Sequence, residues 1–200
     1  MRFNDQIYIA PGYTKEEYIN LKLSVNSNEA TWQKAIDIFK ARMEKRFFDK
    51  IDLLLKNDSE DAFAAMAVCC LLVETLAQFY EGKNDFKNCS QREYTIFLSR
   101  ELNLKKDTAT TFYANVRCGI LHAAQTSKNV VLCLGGQEIL FYQNNSMFVD
   151  VEKFADKLKE YCENYCGRLS DQKNKEARSN FVKKMNFICN RKNIISKSKY

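Results

Sequence analysis

From Trp32 onward, apolar residues return every three or four positions: Trp32, Ile36, Phe39, Met43, Phe47, Ile51 and Leu54. That is the period of an amphipathic helix, and it predicts one long helix over about residues 28–56 with Lys and Glu on its outer face. Asn57-Asp58-Ser59 supplies a break and an N-cap, with Glu60 and Asp61 in the first turn of a second helix. This second stretch, about 59–81, contains AFAAMAVCCLLV and is apolar almost all round, so it belongs at the centre of the molecule. Gly82 is a natural C′ residue for it. Ser90 can cap a third helix carrying Tyr94, Phe97 and Leu98, and Asp107 or Thr108 starts a fourth through Phe112, Val116 and Ile120 towards Ala124.

The pattern then changes. Residues 129–144 read NVVLCL, GG, QEILFYQN, which predicts a β-hairpin turning at Gly135-Gly136. Helical spacing returns with Phe154, Leu158, Tyr161/Cys162, Tyr165 and Leu169, and again with Phe181, Met185 and Ile188. The first 27 residues keep no sustained period; Pro11-Gly12 marks a turn, and the segment reads as an N-terminal arm or an early strand. The expected fold is therefore mainly all-α: an antiparallel helical bundle over 28–190 with a small β-hairpin (about 129–143) inserted after the fourth helix. Residues 191–200 are expected as a flexible basic tail.

Composition agrees with this. One proline and six glycines argue against a turn-rich all-β protein, and 46% hydrophobic residues with 14 Phe and 10 Tyr can fill a sizeable core. The twelve-residue apolar run Ala62–Val73 is too short to span a bilayer, which predicts a core helix and no membrane partner. The net charge of +6 is uneven: residues 172–200 carry nine Lys/Arg against Glu176 alone, leaving the rest of the chain slightly acidic. A basic end attracts phosphate polymers or anionic surfaces, and it equally describes a solvated terminus. Within it, Lys183, Lys184, Arg191 and Lys192 are the candidate RNA-binding residues.

The eight cysteines form no CxxC, and the start MRFNDQIYIAPGY lacks the pattern of a secretory signal. Cys69, Cys70, Cys133 and Cys189 sit in apolar runs as small hydrophobes. Cys162 and Cys166, one helical turn apart, could hold a metal or form a redox pair, but the companion ligands are missing. Reduced thiols, a cytoplasmic location and no metal or cofactor are the expectations.

Candidate chemistry concentrates in YANVRCGILHAAQT, residues 113–126, which holds the only histidine, His122, five positions after Arg117. With nine arginines in the chain, such a spacing arises by chance roughly once in twenty positions. Five residues turn a straight helix by about 140°, so the two side chains do not share one stripe, although Gly119 between them can loosen the helix. A neutral imidazole can take a proton from a ribose 2′-hydroxyl or give one to a leaving oxygen. A guanidinium can grip a phosphate and stabilise its transition-state charge. Together they suffice for RNA cleavage without a metal. The bland alternative is a histidine half-buried at a helix end with its nitrogens on backbone carbonyls.

A helical bundle with VRCGILH on its fourth helix resembles the HEPN superfamily, whose signature is R-x4-6-H. RFFDKIDLLLKND followed by AFAAMAVCCLLVETLAQFYEG is similar to the first two helices of bacterial single-domain HEPN proteins, and the resemblance covers about residues 30–190. It implies a metal-independent endoribonuclease, often of toxin–antitoxin or phage-defence systems, with its site built at a homodimer interface. Arg117 would bind the scissile phosphate and His122 would be the general acid/base. Glu74 would match a polar residue of the second helix that orients the arginine. The chain departs from the pattern at Cys118, where many members have Asn or another polar residue, and at Ala124, where a toxin subgroup has a tyrosine modified by its antitoxin. RNA, a second copy and an antitoxin protein such as a nucleotidyltransferase are the implied partners. Some HEPN proteins have lost catalysis, so a non-catalytic nucleotide-, RNA- or protein-binding module is the alternative.

Overall fold

The computed structural model describes residues 7–57, 61–83 and 90–190. Over these residues the chain is mainly helical with two small sheets. Helix α2, Glu29–Met43, starts where Asn28 accepts the Thr31 N–H at 2.9 Å and buries Trp32, Ile36, Phe39 and Met43, as the spacing predicts. The helix does not continue unbroken. A π turn at Glu44–Phe48 joins it to α3, Asp49–Asn57. A π turn adds a residue to the helical step, so the inward position after Met43 falls on Phe48, not on the expected Phe47. Phe48 is buried and Phe47 only half-buried, and Ile51 returns to the core.

Helix α4, Ala62–Glu81, is the predicted central helix and ends on Gly82 in the left-handed conformation. Asp61 takes the N-cap position without a side-chain hydrogen bond, while Asp58, Ser59 and Glu60 lie outside the described residues. At 20 residues α4 exceeds the twelve-residue run read from the sequence. By length and composition it is the one helix among the described residues able to cross a membrane. Most of it is covered by protein: Ala65, Met66, Cys69, Cys70, Val73, Leu76 and Phe79 are all sealed inside the bundle.

Helix α8 spans Val151–Ser170 and α9 spans Lys175–Asn190. With α2 and α4 they meet in an aromatic centre. Phe39 touches Phe79 at a centroid distance of 5.0 Å, Tyr165 at 5.5 Å and Phe181 at 5.9 Å, and Trp32 lies 5.7 Å from Phe181. Edge-on and tilted rings of this kind stabilise beyond the area they bury. Arg178 is also buried here, 4.6 Å from the Trp32 ring, and donates to the carbonyls of Leu169 and Ser170 at the end of α8 and of Val25. This basic residue is a helix cap, not part of a solvated end.

Of the two readings of the N-terminal segment, an arm or an early strand, residues 7–27 follow the second. Strands β1 (Tyr8–Ala10) and β2 (Tyr13–Thr14) pair around the Pro11-Gly12 turn, and α1 (Lys15–Asn20) begins with a capping box between Thr14 and Glu17. Ile9, Ala10, Tyr18 and Leu23 are buried in the common core. One sequence expectation needs correction, in the sheet that precedes α8. Strands β3 (Val130–Cys133), β4 (Leu140–Gln143) and β5 (Ser146–Asp150) lie in the order β3-β5-β4. The hairpin is β4–β5, turning on Asn144 and Asn145 with φ of 50° and 61°, and β3 pairs with β5 in parallel. Asparagine tolerates that left-handed backbone, which a primed hairpin turn requires. Gly135 and Gly136 serve another purpose. Their N–H groups donate to Glu152 and Asp150 at the start of α8, and a Cβ on Gly136 would stand 2.9 Å from the Asp150 carboxylate.

Helix α5, Ser90–Glu101, opens on Ser90 itself instead of being capped by it; the Ser90 hydroxyl is hydrogen-bonded to Tyr113 at 3.1 Å. Helix α6, Lys106–Phe112, starts one residue before the expected Asp107.

Candidate functional site

The segment YANVRCGILH is helical but irregular. A second π turn, Tyr113–Arg117, succeeds α6 and leads into the short helix α7, Cys118–Ala123, which stops at Ala124 with φ of 54°. Phe112, Val116 and Ile120 are buried, as expected of one face. Residues 125–127 then return across α7. The Ser127 N–H donates to the Asn115 carbonyl at 2.8 Å, and its hydroxyl lies 3.2 Å from Asn115 Oδ1. This crossing explains Gly119: a Cβ there would sit 2.5 Å from the Gln125 carbonyl oxygen and 3.0 Å from the Ser127 nitrogen. The glycine admits a crossing segment of chain; it is not a loosened hinge.

Arg117 is held from several sides. Its Nη2 donates to Glu74 Oε2 of α4 at 3.0 Å, its guanidinium carbon lies 5.4 Å from the Tyr113 ring centroid, and Nη1 reaches the Cys118 sulfur at 4.0 Å. The side chains of Arg117 and Glu74 are 16% and 26% exposed, so the pair is partly desolvated yet reachable from solvent. Burial opposes the charge of Arg117, but the hydrogen bond and attraction of Glu74 outweigh it and hold the guanidinium above its ordinary pKa. The Arg117 Nε is buried without a partner. Tyr113 is fixed in turn by the Ser90 hydroxyl and by an edge contact with Tyr94 at 5.2 Å. Sequence reasoning misses Tyr113 and Ser90 as site residues, although Tyr113 stands four residues before Arg117, a spacing that puts helical neighbours in contact.

His122 is exposed on the last turn of α7, which rules out the half-buried histidine of the bland alternative. Among the described residues no hydrogen bond or ion pair connects it with Arg117 inside one chain. Beside it Leu121 is 38% exposed, and on α4 Phe63, Ala67 and Leu71 recur at four-residue steps before Glu74, with Phe63 38% and Leu71 49% exposed. An apolar row on the outside of the central helix thus runs up to the carboxylate that holds Arg117.

The remaining candidates separate. Cys118 is half-buried against Arg117. Lys183 is exposed on α9. Lys184 is buried, its ammonium bonded to Gln78 of α4 and 5.1 Å from the Phe187 ring, so it does not face a ligand in solution. Arg191 and Lys192 lie outside the described residues. No group of three or more metal-ligating side chains occurs among the described residues. Burial pushes the Cys70 thiol up to about 12 and Cys166 to about 11, and raises Cys162 as well. These are protonated packing groups at neutral pH.

Family models, curated proteins and solved structures were all compared with the chain, and none matches. Function is therefore argued from the site.

Proposed function

We propose that the protein is a metal-independent endoribonuclease of HEPN type, acting in the cytoplasm as a homodimer, with Arg117 and His122 as its catalytic residues. The observation that carries this reading is the pairing of a positioned arginine with an exposed imidazole. Glu74 and Tyr113 fix Arg117 at a solvent-reachable point, and His122 stands free at the end of the same helical segment. The row Phe63, Ala67 and Leu71 beside Glu74, with Phe63 and Leu71 exposed, supports a second copy as the dimer partner.

In this mechanism His122 takes the proton of a ribose 2′-hydroxyl, and the oxygen attacks the adjacent phosphorus. The bond from phosphorus to the 5′-oxygen breaks, and the leaving oxygen takes a proton from an imidazolium, that of the second copy in a two-fold site. A 2′,3′-cyclic phosphate and a 5′-hydroxyl result. Arg117 stabilises the charge that builds on the non-bridging oxygens. RNA is the substrate, and a toxin–antitoxin or phage-defence setting, with an antitoxin protein as partner, is part of the proposal.

The test is cleavage of mixed RNA in EDTA by the wild type, Arg117→Ala and His122→Ala. A general acid/base contributes about 10²–10⁴-fold, so each variant should lose at least about a hundredfold in rate while keeping its fold. RNA left intact by all three, or degraded equally by all three, overturns the assignment. One observation favours the non-catalytic alternative: Glu74 already neutralises Arg117. Under that reading RNA stays intact, Arg117→Ala weakens RNA binding and His122→Ala does not.

A further inference from the structure

Arg42 and Arg46 stand four residues apart where α2 runs into its π turn, and both reach back to β1. Arg42 Nη1 donates to the Ile9 carbonyl, and Arg46 Nη2 to the Tyr8 carbonyl at 3.4 Å. Neighbouring carbonyls of a regular strand point to opposite sides. The pairing of β1 with β2 is irregular between Tyr8 and Ala10, and there both oxygens meet an arginine. A guanidinium carries several N–H donors in one planar fork, and each arginine uses a single one on the strand. The strand holds the two forks in place and leaves their other donors over; Arg42 Nε is buried with no hydrogen-bond partner. Arg46 is exposed and Arg42 half-buried, so the pair is reachable from solvent.

This charge is uncompensated. Among the described residues neither arginine forms an ion pair. Asp49 is taken by Lys45, and Glu44 faces the cleft beside α8, where its charge acts on Cys162. Burial and the charge of Arg46 hold Arg42 below its ordinary pKa, at about 10. The one acidic group that acts on Arg42 is the Cys189 thiol, which burial pushes up to about 11, so it is neutral at pH 7. Lys15 and Glu16 act on that thiol in opposite senses. Two positive charges are left, on side chains spaced so that they repel. An arginine fork matches the oxygens of a phosphate. Tyr8, whose carbonyl holds Arg46, is 51% exposed, and an aromatic ring beside cationic donors suits a phosphate that carries a base.

We propose that Arg42 and Arg46 bind phosphate bearing two negative charges on a nucleotide strand, with the Tyr8 ring against the adjoining base. That charge belongs to one terminal monoester or to two neighbouring diesters. The site shares no residue with the ribonuclease reading and does not rest on it.

The probes are fluorescent decamers of 2′-O-methyluridine, with and without a 5′-phosphate, and a phosphoserine peptide. Such strands have no free 2′-hydroxyl, so binding is read whether or not the protein cleaves RNA. Arg46→Gln should keep the wild-type melting temperature and weaken the decamers at least about tenfold, the effect of losing a hydrogen bond to a charged group. Arg42→Gln/Arg46→Gln should weaken them further and flatten the slope of log Kd against log salt by about 1.4, the ions released by two phosphates of a single strand. Tyr8→Ala should weaken the decamers about fivefold or more. Preference for the 5′-phosphorylated decamer assigns the monoester, and equal affinities assign the two diesters. No saturable binding, or wild-type affinity in Arg46→Gln, overturns the site, as does an unchanged salt slope in the double variant; should that variant melt early, Arg46→Gln alone decides. A phosphoserine peptide bound as tightly as the decamers, or wild-type affinity in Tyr8→Ala, overturns the nucleotide as ligand.

Discussion

The two π turns, Glu44–Phe48 and Tyr113–Arg117, interrupt long helices in the same way and are put to different uses. The first moves the inward position by one residue and leaves a cleft beside α8, walled by protonated thiols and ringed by mixed charge. The second brings Tyr113 and Arg117 together against α4, where Glu74 balances the guanidinium, and the chain returns over Gly119 to cover α7. The same backbone irregularity thus yields an apolar hollow in one place and a positioned charge in the other. What differs is the neighbouring helix: α8 offers Cys162 and Cys166, whereas α4 offers a carboxylate.

The shift of phase at the first turn makes the largest expected effect. Phe48→Ala should cost about 3–5 kcal/mol in urea denaturation, the range for emptying a buried aromatic site, and Phe47→Ala roughly half of that or less. The reverse order would mean that the helix runs through without the extra residue.

The thiols provide a second comparison, since Cys166 lies under the first turn and Cys70 behind Arg117. Both pKa values are raised by burial from an ordinary 9.0, to about 11 and about 12. Below pH 9 these thiols are protonated in folded and unfolded chains alike, and their contribution is constant. Above it the unfolded chain releases protons that the folded chain retains, so stability falls as pH rises, by on the order of 1 kcal/mol per thiol for each pH unit. The melting temperature should therefore drop between about pH 9 and 11, and less steeply in Cys70→Ala/Cys166→Ala. Identical slopes in the two proteins would contradict this account.

The smallest effect concerns Tyr113. A ring beside a partly desolvated guanidinium contributes about 0.5–2 kcal/mol. If the proposed ribonuclease activity is found, Tyr113→Leu should lower its kcat up to about tenfold with little change in KM, whereas Tyr113→Phe keeps the ring and most of the rate. Equal loss in both would assign the effect to the Ser90 hydrogen bond instead.

Much of the bundle was legible in the sequence because its signal is periodic: Trp32, Ile36, Phe39 and Met43 point inward as their spacing requires, and so do Phe154, Leu158, Tyr165 and Leu169. What escaped was tertiary in origin. Gly-Gly and Asn-Asn both permit a left-handed turn, and only the Asp150 and Glu152 carboxylates, distant in sequence, decide that the glycines line a helix start. Lys184 and Arg178 read as solvent charges because long stems hide where their heads go; here they end on Gln78 and on the last carbonyls of α8. For the site, the sequence offered Arg117, His122 and Glu74. The resemblance had also offered Glu74 as the group that orients Arg117; the ring of Tyr113 beside the guanidinium needed the fold.

Asp150 joins three parts of the molecule through one side chain. It is the last residue of β5, paired with Cys133 of β3, and it is fully buried. One carboxylate oxygen caps α8 by accepting the Lys153 N–H at 2.8 Å, while the other accepts that of Gly136. Opening the sheet would uncap α8, the helix that carries Phe154 and Tyr165 into the core. The sheet is thereby tied to the start of α8, and the amides of Gly136 and Lys153, held by one carboxylate, should become exchangeable together.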